Sequence, residues 1–118
     1  MNHLHLRQME VLTTNFDTLT SSMEKLNFVP VPPDGLSPLT LVGGRYCTLK
    51  GVLATQLLFE SADGTTVTMF QTAYDPSRFG KLPRREDNEA SVRVNERGVQ
   101  VEVWVEQGVV MAKAQSRS

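Results

Sequence analysis

Two hydrophobic periods divide the chain. Near its start, Phe16, Leu19, Met23 and Leu26 recur at spacings of three and four, which places them on one stripe of a helix. Thr13, Thr14 and Asn15 come just before the stripe. Their side-chain oxygens can accept the orphan amides of a first helical turn, so they are candidate N-caps. Asp17 near the start and Lys25 near the end have the signs that suit the helix dipole. The segment is short and rich in Thr and Ser, so it needs a partner surface to hold it. Gln8 to Thr13 reads as a short strand ahead of it, while Leu4 and Leu6 fit either a strand or a helix. Pro30, Pro32 and Pro33 then force extended backbone and a stiff surface connection.

From Leu39 onward the period is two. Leu39 to Leu49 reads as a strand interrupted by Gly43-Gly44, a pattern that suggests a bulge or a close backbone approach. After a turn at Lys50-Gly51, Val52 to Glu60 is apolar on both sides and is expected to be central in a sheet. Asp63-Gly64 predicts a hairpin turn, since both residues tolerate positive φ, leading into a strand from Thr65 to Tyr74. Asp75 to Ala90 carries Pro76, Gly80 and Pro83 together with Arg78, Lys81, Arg84 and Arg85, and reads as a long mobile loop over 75–90. Strands resume at Ser91 to Asn95 and Val99 to Glu106, turn at Gln107-Gly108, and continue from Val109 to Ala114. Residues 115–118 read as a frayed tail. In the strand from Val99, the valines at 99, 101, 103 and 105 define an apolar face expected to be buried. Gln100, Glu102, Trp104 and Glu106 define a face expected to meet solvent.

Tight turns between successive strands require antiparallel neighbours. The expected fold is α+β: a meandering antiparallel sheet of about six or seven strands with one N-terminal helix packed on it. At 118 residues the chain is one domain, spanning 1–118, with enough length to bury a core. Twelve Lys and Arg balance thirteen Asp and Glu, which argues against a general nucleic-acid or membrane-surface binder. A single cysteine excludes an internal disulfide framework and a multi-cysteine zinc site, and no apolar run approaches the length of about 20 residues needed for a membrane helix.

The candidate chemistry is sparse. His3 and His5 would share one face of a strand, but no third or fourth ligand accompanies them, so no metal or cofactor is expected. Cys47 lies beside Arg45, which would lower its pKa, though a lone cysteine is more often a small buried hydrophobe. Gly43-Gly44-Arg45 lacks the spacing of a phosphate-binding loop, and Arg45 reads as an ion-pair partner before a ligand contact. Glu102 and Glu106 lack the shaped cleft that acid–base work needs, so no catalytic residue is assigned and no enzyme is expected. Trp104 is the anomaly. On a polar face it is either covered by another element, such as the helix stripe, or exposed as an interface anchor. With Arg78, Lys81, Arg84 and Arg85 it forms the candidate interaction surface, suited to a protein partner.

One longer pattern adds to this. Leu41-Val42-Gly43-Gly44-Arg45-Tyr46, then Gly51-Val52-Leu53-Ala54-Thr55-Gln56-Leu57-Leu58-Phe59, then Asp63-Gly64 and Val67-Thr68-Met69-Phe70 follow one another. The chain closes on an aromatic-containing strand, Val101 to Val105, that turns at Gly into Val109 to Met111. This succession resembles the extracytoplasmic domain of membrane-anchored, zinc-binding-type bacterial anti-sigma factors. The resemblance implies a non-catalytic, periplasmic regulatory domain that modulates the proteolysis-dependent release of a sigma factor. The sigma factor and the membrane would be reached only through a cytoplasmic domain and a transmembrane helix absent from these residues, which makes this an excised outer domain. A protein partner or a protease is then the expected contact, and a homodimer stays open. The rival reading is a stand-alone, cytoplasmic protein- or ligand-binding module of the same sheet type.

Overall fold

A computed structural model of the chain describes residues 10–32, 39–96 and 98–117. Seven strands form one sheet: β1 (Val11–Leu12), β2 (Thr40–Leu49), β3 (Val52–Glu60), β4 (Thr65–Ala73), β5 (Val92–Glu96), β6 (Val99–Glu106) and β7 (Val109–Arg117). Their spatial order is β1-β2-β3-β4-β7-β6-β5, and every neighbouring pair is antiparallel. The fold is therefore α+β with a meandering sheet, and the meander breaks once. After β4 the chain skips two positions, lays down β5 at the far edge, and works back through β6 to set β7 against β4.

The helix is shorter than its stripe predicts. It spans α1 (Phe16–Ser22), with Asn15 Oδ1 accepting from the Thr18 amide at 2.9 Å. The hydroxyls of Thr20, Ser21 and Ser22 donate back to the carbonyls four residues earlier, a local competition that weakens helix continuation. Met23 is already the C-cap, so Lys25 falls beyond the last turn. Its amide instead donates to the Tyr46 hydroxyl at 3.1 Å.

Register assigns the two faces of the sheet. Leu57 opposes Met69, Phe59 opposes Val67, Gln71 opposes Met111, and Met111 opposes Trp104. These residues share the face on which α1 lies, where Leu19, Met23 and Val31 join them in one buried core. Two glycines seat the amino-terminal elements against β2, Gly44 under α1 on that face and Gly43 beside β1 at the edge. A Cβ on Gly43 would collide with the Val11 carbonyl oxygen, and one on Gly44 would lie 2.8 Å from the Leu19 side chain. The expected irregularity is present as a bulge between Leu41 and Gly43.

The expected hairpin turn at Asp63-Gly64 is present between β3 and β4: Gly64 takes a positive φ, and the Asp63 carboxylate accepts from the Thr65 amide. Two expectations need correction. The backbone of 115–117, read as part of a frayed tail, continues β7 along β4 through pairs such as Thr65 with Arg117. The stretch 75–90, read as a mobile loop, holds a helical turn, α2 (Pro76–Phe79), and a 3-10 turn at Arg85–Asp87. Asp75 caps α2 and Pro76 opens it, a pairing that pre-orders a first turn.

Candidate functional site

Segment 75–90 wraps the end of the sheet that carries the Lys50-Gly51 and Gln107-Gly108 turns. The Tyr74 amide donates to the Gly108 carbonyl, and its hydroxyl donates to the Gly80 carbonyl and accepts from the Leu82 amide. An Arg78 guanidinium nitrogen donates to the Lys50 carbonyl at 3.1 Å. Past that point the chain becomes a clasp on β6. Arg84 bridges Val105 in parallel, and the Val105 amide donates to the Pro83 carbonyl at 2.8 Å. β5 pairs with β6 only as far as Val103, so the clasp occupies the rest of that edge.

Side chains lock the clasp. The Trp104 indole nitrogen donates to Glu106 Oε1 at 3.0 Å, and the Arg85 guanidinium lies 4.8 Å from the centre of the indole ring. Arg85 Nε also stands 4.0 Å from Glu106 Oε1, the arginine half exposed and the glutamate side chain 3% exposed. A stacked cation over Trp supplies both shielding and charge compensation for a buried carboxylate. Glu86 accepts from the Gln107 amide at 2.6 Å, and this bond holds its carboxyl below the ordinary glutamate value. Arg84 sits over the Tyr74 ring at 5.7 Å, and its amide donates to Glu89. Asp75 is held low mainly by the Ser77 hydroxyl and amide.

The candidate surface is thus part assembled and part dispersed. Arg85 and Trp104 come together, Arg84 lies next to them in sequence on the aromatic Tyr74, and Arg78 is engaged at the β2–β3 turn. Lys81 is exposed between them. Trp104 is not an exposed anchor. It is 4% accessible and belongs to the core that includes Leu19 and Met23, so what a partner would meet is the basic rim around it.

The face assignment of β6 is the largest departure. Trp104 and Glu106 point into the helix-side core, and Glu106 is buried. The valines occupy the opposite face, where Val105 is buried but Val99 is 41% exposed. Alternation alone assigns the valines inward. Here the Arg85–Trp104–Glu106 cluster makes the acidic face compatible with burial.

Two features were missed by pattern reading. Gln71, fully buried in β4, accepts from the Val31 amide at 2.9 Å and donates to the Val31 carbonyl at 2.7 Å. The side-chain amide thereby pairs with the proline-rich segment as a strand would. That docking forms one wall of an open cleft of about 500 Å³, with Phe16, Phe28, Val29 and Pro32 facing the Gln107-Gly108 turn. A glutamine in a strand otherwise built of Thr, Val, Met, Phe and Ala is the sequence signal for it.

The remaining candidates are plain. Burial pushes the Cys47 thiol up despite the opposing pull of Arg45, which keeps it protonated. Arg45 donates to the Tyr46 carbonyl. His3 and His5 lie outside the described residues. Among the described residues no three or more His, Cys, Asp or Glu side chains are grouped to hold a metal, and no helix is long and apolar enough to cross a membrane. Comparison with protein-family models, curated proteins and solved structures finds no match to this chain.

Proposed function

We propose that this domain is a non-catalytic regulatory module, the extracytoplasmic part of a membrane-anchored anti-sigma factor, and that it modulates the proteolysis on which sigma-factor release depends. One observation carries the reading. The Gly-Gly-Arg strand, the first motif of the resemblance, is also the strand that seats the amino-terminal elements, because neither Gly43 nor Gly44 has room for a Cβ beneath β1 and α1. A domain whose entry segment is held down on its own sheet can withhold that segment from a protease while folded and release it on opening. The basic rim of Arg78, Lys81, Arg84 and Arg85 is the surface offered to a protein partner. Sigma-factor binding lies outside these residues in this reading.

The test uses the full-length gene product in its host, with a reporter for the sigma factor encoded beside it. Removal of residues 10–117 is expected to raise the reporter through cleavage of the anti-sigma factor, and destabilisation of the domain by Gln71→Leu to raise it less. A fusion of alkaline phosphatase after Arg117 is expected to be active, since that enzyme matures only outside the cytoplasm. A reporter indifferent to the domain, together with an inactive fusion, replaces this reading with a stand-alone cytoplasmic binding module.

A further inference from the structure

The two edges of the sheet are finished differently. At one edge, β1 covers Gly43 and Gly44, and the Glu10 carboxylate accepts from the Tyr46 amide at 2.7 Å, which blocks further pairing there. At the other edge lies β5, with no described segment beyond it. It has no proline and no bulge within Val92–Glu96, two of the devices that usually keep an edge strand from pairing.

Hairpin parity states which groups that edge offers. β6 and β7 join through the two-residue turn Gln107-Gly108, so Glu106 and Val109 close it as a hydrogen-bonded pair. Residues 102, 104 and 106 of β6 therefore bond toward β7, while 99, 101, 103 and 105 bond the other way. The Val105 amide, which donates to Pro83 on that other side, agrees. Val103, Val101 and Val99 pair with Val92, Val94 and Glu96. The amide and carbonyl groups of Arg93 and Asn95 are then left pointing outward.

We infer that β5 pairs with β5 of a second copy, antiparallel about a two-fold axis through Val94, joining two seven-stranded sheets into one. Outward groups at only two positions leave few registers. An axis through Arg93 sets the two guanidinium side chains directly opposite each other, a like-charge pair. An axis through Asn95 shifts the pairing past Glu96, off the end of the strand. An axis through Val94 uses the whole strand. Arg93 of each copy faces Asn95 of the other, with an amide oxygen placed to accept from the guanidinium, and four backbone hydrogen bonds form. Val94 meets its own counterpart as a non-hydrogen-bonded pair, with Cα atoms about 4.5 Å apart. The exposed Val94, 44% accessible, then meets its counterpart across the seam, with Val101 behind each on the same face. The near-zero net charge, −1 per chain, puts little repulsion on the association. A symmetric self-pair of this kind is isologous and closes at two copies. The inference does not depend on the regulatory reading above.

Sedimentation equilibrium over a range of concentrations should show the mass rising from 13.1 kDa toward twice that value. Asn95→Pro removes an outward amide that serves no bond within its own sheet. It should keep the far-ultraviolet spectrum and weaken the dimer by about tenfold or more, since two amide donors are lost per dimer. Val94→Lys, at an exposed site, should do the same by charge. In a Cys47→Ser background, Val94→Cys should form an intermolecular disulfide readily on oxidation with diamide, because the predicted Cα spacing suits one, and Val99→Cys should not. A single 13.1 kDa species at every concentration overturns the inference. So does a dimer indifferent to Asn95→Pro and Val94→Lys, and so does cross-linking no better at 94 than at 99.

Discussion

Trp104 donates its indole N–H to the carboxylate of Glu106, two residues along the same strand, and both side chains lie inside the core. Residues i and i+2 of a strand share a face, so the pair is local in sequence. What makes it tolerable is not local. Arg85, nineteen residues upstream by number (104 − 85), stacks on the indole and stands against the carboxylate, so the clasp and the core are one structure.

Removing the acceptor should cost more than removing the pair. Glu106→Leu leaves the buried Trp104 donor without an acceptor and Arg85 without its anion, and urea unfolding should show a loss of about 1–3 kcal/mol. The double change Trp104→Phe with Glu106→Leu should recover most of it. Equal stabilities for the single and double variants would contradict the arrangement. In the wild type, acrylamide should quench Trp104 weakly, as befits 4% exposure.

Gln71 should behave as a backbone substitute. Gln71→Leu fills its space but leaves the Val31 amide and carbonyl unpaired, for an expected loss of about 1–3 kcal/mol in chemical denaturation. Gln71→Glu keeps the acceptor but sets a carboxylate oxygen against the Val31 carbonyl, and should be no better than leucine.

The two glycines of β2 should differ. Gly43→Ala puts its methyl against the backbone of Val11, which cannot yield without moving β1. Gly44→Ala meets the ends of the flexible Leu19 and Leu57 side chains. Alanine at 43 should cost about 1–3 kcal/mol and speed amide exchange at Glu10 and Thr13, which bond to β2. Alanine at 44 should cost less and leave those two amides protected.

Acid should loosen the clasp. The Gln107 amide lowers the Glu86 carboxyl, so the ionised form is the one that holds the bond. A depressed carboxyl contributes above its unfolded value and loses that contribution as the pH falls through the folded one. Protection of the Gln107 amide, measured against the intrinsic exchange rate at each pH, should therefore fall as the pH drops below the ordinary glutamate range, and Glu86→Gln should show the lower protection already at neutral pH. Asp63, held at about 2 chiefly by the Ser61 hydroxyl, should keep its turn to still lower pH, as a carboxyl carbon titration would record.

Much of this fold can be read along the chain, because strand bounds follow from local pattern. Val52–Glu60 and Val99–Glu106 end where turn residues interrupt the period. The orientation of β6 is harder, since a valine face and a Glu/Trp face are both chemically able to be inside. The choice depends on Arg85 arriving from a segment with no periodicity of its own. The same holds for the site. Asp75-Pro76 is a legible cap, but the parallel bridge of Arg84 to Val105 is a tertiary pairing that no local signal announces.

The position of β7 has a consequence for how the sheet comes into being. It is the last of the seven strands to be synthesised, yet it lies between β4 and β6 and bonds to both. Until it emerges, β1 to β4 form one ribbon ending in a bare edge and β5 to β6 another, with no shared hydrogen bond between the ribbons. Assembly of the whole sheet must then wait for residues 109–117. A cut in the Gln107-Gly108 turn would detach from the rest of the chain the one strand that joins the two ribbons.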